Sequence, residues 1–146
     1  MMSNRKETVA KIIDYIEEHL QEKLDLDDIA QQAGYSKYHL ERMFAKENGS
    51  TIYQYIKKRR LTEAARQLVF TDKPIIEIAF GASYESQQAF THAFRTLYQV
   101  TPQIYRENCV FLPEQRKVIM ENAIKQHTQK QLKQHIKVYF KEVKAA

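Results

Sequence analysis

An internal repeat restricts the fold of this chain more than any other feature of its sequence. Residues 29–44 read IAQQAGYSKYHLERMF, and residues 78–94 read IAFGASYESQQAFTHAF. Each copy begins with Ile-Ala, passes through a small residue, an aromatic residue and a serine, and carries apolar residues four and eight positions after that serine. This spacing predicts a short helix, a tight turn and a second amphipathic helix in each copy. The second copy has one more residue in its turn.

Helical periodicity continues along the rest of the chain. Gly and Pro number only three each, which argues against a turn-rich β fold. Capping residues recur before the periodic stretches, among them Ser36, Ser86, a Thr51–Gln54 capping box and Thr101-Pro102. The pattern predicts an all-α fold with helices at about residues 8–20, 26–33, 37–47, 51–70, 75–82, 86–98 and 102–106.

Each repeat fits a helix-turn-helix unit, in which two helices pack at a steep angle. The first helix needs a small residue where the second crosses it, and Ala30 and Ala79 meet this need. The turn favours a residue that tolerates positive φ, which suits Gly34 but fits Ser83 poorly. A plain helical hairpin with a solvated face is the alternative for either copy, but two copies in register favour helix-turn-helix units. The units are predicted at residues 26–48 and 75–98.

The second helix of such a unit presents the polar face of its N-terminal half to the major groove of DNA. Arginine suits the edge of guanine, and glutamine suits that of adenine. The sequence therefore predicts duplex DNA as a partner, read by two helices. The polar positions are Lys37, Tyr38, Glu41 and Arg42 in the first unit, and Gln87, Gln88, Thr91 and His92 in the second.

The helix predicted between the two units has a length that suits DNA. Residues 51–70 would rise about 30 Å, and successive major grooves on one side of B-DNA lie roughly 34 Å apart. A single chain, acting as a monomer, could therefore place both units on one duplex. The segment Lys57-Lys58-Arg59-Arg60 in this helix is either a solvated face or a site where some of the four side chains contact phosphate.

The net charge of +5 is distributed unevenly along the chain. Residues 1–33 hold four basic and eight acidic residues, so we expect the first helix on the side away from DNA. Residues 34–108 hold eleven basic and seven acidic residues, as expected for the side that meets phosphate.

Other function classes find no support in the sequence. The single Cys109 excludes an internal disulfide and a cysteine cluster for zinc, and the five histidines lack metal-ligand spacing. There is no Gly-rich phosphate loop, and no apolar run approaches the roughly 20 residues of a membrane helix. We expect a cytoplasmic protein that is not an enzyme and needs no cofactor, metal or membrane.

Three segments of the chain resemble a known family. They are Gly34–Phe44, Glu85–Thr91 and Val100–Arg106, read in order and with matching spacing. The chain resembles the AraC/XylS transcription factors over about residues 8–107, and most closely the MarA/SoxS/Rob group of small activators.

The resemblance implies a seven-helix DNA-binding domain at residues 1–108, with a linker helix at residues 51–70 between the two helix-turn-helix units. It also implies a bacterial, nucleoid-associated activator of stress or antibiotic-resistance genes. Such an activator binds an asymmetric site of about two major-groove turns and contacts RNA polymerase. A stand-alone regulator without an effector domain is expected. The alternative is an antagonist or accessory module that binds proteins and does not read DNA.

Site residues carry over from the family position by position. The base-facing positions are Tyr38, Glu41 and Arg42 in the first unit, and Gln87, Gln88, Thr91 and His92 in the second. Expected phosphate contacts are Ser36, Lys37, Lys58, Arg59, Arg60, Ser86 and Arg95.

The chain departs from its family at several of these positions. Close relatives carry Trp at the position of Tyr38, often Gln at Glu41, often Thr at Ala89, and usually Arg or Lys at His92. We expect an altered or weaker base preference, above all at the second half-site.

Residues 109–146 are predicted to form a basic helical extension, with eight basic and three acidic residues. Three interpretations stay open: a helix packed on the domain, a non-specific phosphate contact and a protein contact. A membrane-surface helix is disfavoured because His and Gln interrupt the pattern.

Overall fold

The computed structural model describes residues 2–114, and in that range it consists of seven α-helices with no strand. The all-α, seven-helix fold expected from the sequence is confirmed. The predicted helical extension lies, from residue 115 onward, outside the described residues. The helices are α1 (Met2–Glu18), α2 (Leu26–Ala33), α3 (Lys37–Asn48), α4 (Ile52–Phe70), α5 (Ile75–Gly81), α6 (Gln87–Tyr98) and α7 (Pro102–Asn108).

The first helix differs most from its prediction. It begins at Met2 rather than near Thr8, and it ends at Glu18 rather than Leu20. Arg5, Lys6 and Glu7 are good helix formers and extend the helix toward the N-terminus. Leu20 is nevertheless buried, as the apolar pattern predicts.

The helices surround two hydrophobic cores. The first core lies among α1, α2, α3 and the N-terminal half of α4, and the second lies among the C-terminal half of α4 and α5 to α7. The long helix α4 is therefore shared between two subdomains of like construction. It contributes Ile52, Tyr55 and Ile56 to the first core, and Leu61, Ala64, Ala65 and Leu68 to the second.

The two repeats fold in the same way down to single hydrogen bonds. The N–H of Tyr35 donates to the carbonyl of Ala30 over 3.1 Å, and the N–H of Tyr84 donates to that of Ala79 over the same distance. Both alanines are buried. The helices that follow are capped alike, by Ser36 and Ser86 at the second helix of each unit and by Thr51 and Thr101 at the helix after it.

The turn of the second unit holds Ser83 in a conformation that favours glycine. Ser83 has a φ of 68°, close to the 76° of Gly34 at the equivalent position of the first unit. The poor fit expected for Ser83 thus appears as a non-glycine residue whose backbone lies in the left-handed region. A non-glycine residue there costs about 1–2 kcal/mol.

A buried arginine separates the two cores. Arg59 lies on α4 between the residues of the first core and those of the second, and it is 7% exposed. Its Nε and one terminal nitrogen donate to the two carboxylate oxygens of Glu17 on α1, over 2.5 and 3.0 Å. A weaker contact of 3.3 Å joins it to Glu63, and the hydroxyl of Tyr55 also donates to Glu17. Burial lowers the pKa of Arg59, but the hydrogen bond and charge of Glu17 more than reverse this, so the pKa lies above its usual value.

Two further arginines bind the segments that follow α1 and α4. Arg60 donates to the carbonyls of Leu20 and Glu22, just beyond α1. Arg106 donates to the carbonyls of Leu68, Thr71 and Lys73, at the end of α4 and beyond it. Each guanidinium thereby gives hydrogen-bond partners to backbone carbonyls of the connecting segments, and Arg106 also binds the carbonyl of Leu68 in the last turn of α4.

Removal of the charge on Glu17 tests the buried ion pair. We expect Glu17→Gln to lower the free energy of unfolding by about 3 kcal/mol, because breaking a buried pair leaves an uncompensated charge. Urea unfolding followed by circular dichroism measures the change. Glu18→Gln, at an exposed position of the same helix, is the control and should change stability by less than about 0.5 kcal/mol. Equal losses in the two variants would contradict the role of the pair.

Exchange of residues at the two turns tests the strain at Ser83. We expect Ser83→Gly to stabilise the protein by about 0.5–1 kcal/mol, because glycine adopts this φ without a steric penalty. Gly34→Ala should destabilise it by about 1 kcal/mol. An added Cβ at Gly34 meets no atom within 4 Å, so only the backbone conformation is at issue. Thermal unfolding gives both values, and a less stable Ser83→Gly protein would contradict the interpretation.

Candidate nucleic-acid interface

The first recognition helix, α3, buries one face and exposes the polar positions expected from the sequence. Its apolar residues Leu40, Met43 and Phe44 are buried in the first core. Lys37, Tyr38 and Arg42 are exposed, and Tyr38 reaches 80% exposure.

The serine that caps α3 remains suited to a phosphate contact. The Oγ of Ser36 accepts from the N–H of His39 over 3.2 Å and is exposed. Because the Oγ acts as an acceptor in the cap, its hydroxyl proton is left to donate to another group.

Glu41 is placed differently from the other polar residues of α3. It is half-buried, and its Oε2 lies 3.4 Å from the backbone N–H of Ile52, the first residue of α4. That N–H has no partner inside its own helix, and a negative charge at a helix N-terminus is favourable. Glu41 therefore links the first recognition helix to the linker helix α4. The sequence predicted only a contact with a base for this residue.

The second unit lacks an equivalent of this contact. Thr91 occupies the position of Glu41, and Pro102 begins α7 where Ile52 begins α4. Proline has no backbone N–H, so no acceptor is needed at that point. An acceptor, Glu41, is therefore present where the next helix begins with an N–H, and a residue without a carboxylate, Thr91, is present where the next helix begins with proline.

The second recognition helix, α6, exposes a polar face of similar layout. Phe90 and Phe94 are buried in the second core, and Thr91 is half-buried. The Oγ of Ser86 caps the helix by accepting from the N–H of Ala89 over 3.1 Å. The predicted DNA-contacting residues that are exposed on this helix are Gln87, Gln88, His92 and Arg95.

The basic segment of α4 does not form one phosphate-binding face. Lys57 and Lys58 are exposed, whereas Arg59 is buried against Glu17 and Arg60 is half-buried against backbone carbonyls. The prediction that Arg59 contacts phosphate is therefore corrected, because its guanidinium is buried against Glu17, whereas the prediction for Arg60 stays a prediction. Successive residues on a helix point about 100° apart, so two of the four turn toward the protein. Lys58 remains available as predicted.

Sequence reasoning missed the partners of these side chains rather than the side chains themselves. Glu17 lies 42 positions before Arg59, and nothing in the local pattern connects them. The contact between Glu41 and Ile52 does leave a trace in the sequence, because Pro102 lies eight positions after the end of the second repeat, where Ile52 follows the first. Comparison of the two repeats at that position could have found it.

Residues 2–114 contain neither a candidate metal site nor a candidate membrane span. Among these residues no group of three or more His, Cys, Asp or Glu side chains could hold a metal ion. In the same range no helix has the length and apolar character needed to cross a membrane.

Protein families and curated proteins that are similar to this chain are of one type. The family described as "Helix-turn-helix domain" matches residues 29–108. The chain is 46% identical over 102 residues to the Transposon Tn10 TetD protein of Escherichia coli, covering 69% of this chain and 74% of the relative. It is 41% identical over 99 residues to the Multiple antibiotic resistance protein MarA of Escherichia coli strain K12, covering 68% of this chain and 78% of the relative.

Solved structures show the same similarity. A transcriptional regulator with an AraC-type DNA-binding domain from Chromobacterium violaceum has a TM-score of 0.66 and 28% identity, over 70% of this chain and 91% of that one. The DNA-binding domain of AdpA, solved in complex with a target DNA, has a TM-score of 0.64 and 28% identity, over 68% of this chain and 89% of that one.

Replacement of Glu41 tests its contact with α4. We expect Glu41→Ala to lower the free energy of unfolding by about 1 kcal/mol, because the N–H of Ile52 loses its acceptor. Thr91→Ala is the matched change in the second unit and should alter stability by less than about 0.5 kcal/mol, since Pro102 offers no N–H. Urea unfolding of both variants gives the comparison. A smaller loss for Glu41→Ala than for Thr91→Ala would contradict the assignment.

Proposed function

The chain belongs to the AraC-type family of DNA-binding transcription regulators, and on that premise we propose that it is a monomeric activator that places α3 and α6 in adjacent major grooves of one duplex. The similarity to MarA, of which the chain covers 78%, supports a regulator of the MarA type within this family. Binding would cover an asymmetric site of about two groove turns.

One observation carries this proposal. Two recognition helices of like construction pack on opposite halves of the same helix, each through its own core. α4 has 19 residues and therefore rises about 28 Å, close to the roughly 34 Å between successive major grooves on one face of DNA. A rigid connection of this length supports the binding of one chain where a simple helix-turn-helix protein needs two.

The polar residues of the two units and of α4 divide into a proposed base-contacting set and a proposed phosphate-contacting set. In the first unit Arg42 is proposed to read guanine and Tyr38 to pack against bases, while Glu41 is proposed to accept from a base through Oε1. In the second unit the base contacts are Gln87, Gln88, Thr91 and His92. Proposed phosphate contacts are Ser36, Lys37, Lys58, Ser86 and Arg95.

Activation requires a contact with RNA polymerase as well as with DNA. We include that contact in the proposal, with target genes of the stress and antibiotic-resistance type, because the relative MarA is named for multiple antibiotic resistance. Transcription in vitro from a promoter that carries the bound site tests it. A higher yield with wild-type polymerase supports activation, and a lower yield would assign the chain to repression.

Selection of bound duplexes from a random library tests the DNA-binding mode. We expect two short recognised blocks about one helical turn apart, and one chain per duplex by analytical ultracentrifugation of the complex. A palindromic site with two chains bound would contradict the monomeric mode. Absence of any enriched sequence would favour a module that binds proteins instead.

Two alanine variants separate base reading from phosphate binding. We expect Arg42→Ala to weaken binding by about 1–3 kcal/mol and to relax the preference at one base pair, because a bidentate contact to guanine is lost. Lys58→Ala should weaken binding to all sequences alike and reduce the salt dependence. Titration of selected and scrambled duplexes at fixed salt measures both effects. An unchanged preference in Arg42→Ala would rule out its assigned base contact.

A further inference from the structure

A small basic cleft lies between the beginning of α1 and the exposed side of α3. It has a volume of about 240 Å³ and is open to solvent. The lining comes from two helices that are far apart in sequence, so only the fold brings these side chains together. The cleft is lined by Arg5, His39, Arg42, Met43 and Lys46.

The charged side chains of the cleft have no acidic partner in the described part of the chain. Arg5, Arg42 and Lys46 are exposed, and the ion pairs found within residues 2–114 involve Arg59 and Arg66 instead. Three like charges around one small space repel each other, and an anion between them removes that repulsion. The cleft is therefore complementary to a compact anion such as a phosphate group.

The position of the cleft relates it to the recognition helix. Arg42 is the proposed guanine reader, and Lys46 lies one turn further along the same face of α3. His39 completes this face, with its ring stacked on Tyr35 at a centroid distance of 5.1 Å. An anion in the cleft would thus lie at the edge of the base-reading surface, where the DNA backbone borders the major groove.

We propose that Arg5 binds a backbone phosphate of the first DNA half-site in this cleft, next to Lys46, so that the beginning of α1 belongs to the DNA interface. The proposal rests on the proposed function. It also revises the expectation that the acidic first helix lies away from DNA, because that helix begins six residues earlier than predicted and carries Arg5 to the side of α3.

The salt dependence of DNA binding by the full chain gives the first test. We expect Arg5→Gln to reduce the slope of log affinity against log salt by roughly 0.9, the value for one phosphate contact. The preference for selected over scrambled duplex should stay unchanged. Lys6→Gln removes the same charge from a neighbouring exposed position outside the cleft and should leave the slope near that of the wild type. Equal slopes for Arg5→Gln and Lys6→Gln would overturn the proposal.

Neutral phosphates in the duplex give the second test and locate the contact. Single methylphosphonate substitutions along the first half-site should weaken wild-type binding at the contacted position, whereas Arg5→Gln should show no additional loss there. Equal losses for both proteins at every position would overturn the assignment to a DNA phosphate.

A free phosphate ion is the other source of the same chemistry. Titration with inorganic phosphate at constant ionic strength, followed by the ring resonances of His39, separates the two sources. Saturation in the wild type but not in Arg5→Gln, together with unchanged DNA slopes, would overturn the proposal in favour of a small-anion site. If the wild-type chain selects no DNA sequence at all, the proposed function fails. If the wild-type chain selects a sequence but Arg5→Gln and Lys6→Gln have equal salt slopes, only this inference fails.

Discussion

A guanidinium buried between two hydrophobic cores sets the geometry of the whole domain. Arg59 belongs to α4, and its bidentate partner Glu17 belongs to α1, so the pair fixes the rotation of the long helix against the first subdomain. Any rotation of α4 about its axis would withdraw the guanidinium from the carboxylate and leave two buried charges apart. Because α3 and α6 pack on the two halves of α4, this single contact also limits how the two recognition helices can turn relative to one another.

Burial of charge at this point also explains why the molecule has two cores rather than one. The apolar residues of α4 stop at Ile56 and resume at Leu61, and Arg59 lies in the interval. The hydroxyl of Tyr55 donates to the same carboxylate that Arg59 binds, and the hydroxyl of Tyr98 hydrogen-bonds to the buried Thr62 of α4, while burial raises the pKa of Tyr98 to about 12. A polar layer therefore crosses the domain where the two subdomains meet. Arginine suits this place because its planar fork can hold a carboxylate while remaining charged.

Local chemistry made much of this fold predictable from sequence. The helix bounds from α2 to α6 agree within about one residue with the periodicity, because serine and threonine caps and the glycine turn mark them directly. Contacts between distant segments were not predictable. Glu17 and Arg59 are 42 positions apart, and the role of Glu41 depends on where α4 begins. Arg59, expected at phosphate, instead turns inward to reach Glu17, and the cleft at Arg5 depends on the start of α1 at Met2.

The unequal joints behind the two recognition helices affect how the protein can evolve. Glu41 accepts from the N–H of Ile52, so a mutation that gives residue 41 a new side chain for base reading also weakens the start of α4. A mutation of Thr91 removes no such hydrogen bond, because Pro102 has no N–H that needs an acceptor. Residue 41 is thus coupled to the start of α4, whose N–H only a proline at position 52 would remove, whereas Pro102 places no such requirement on residue 91. In a lineage of such proteins, new target sequences would arise more readily through the second unit, while the first unit keeps its inherited preference.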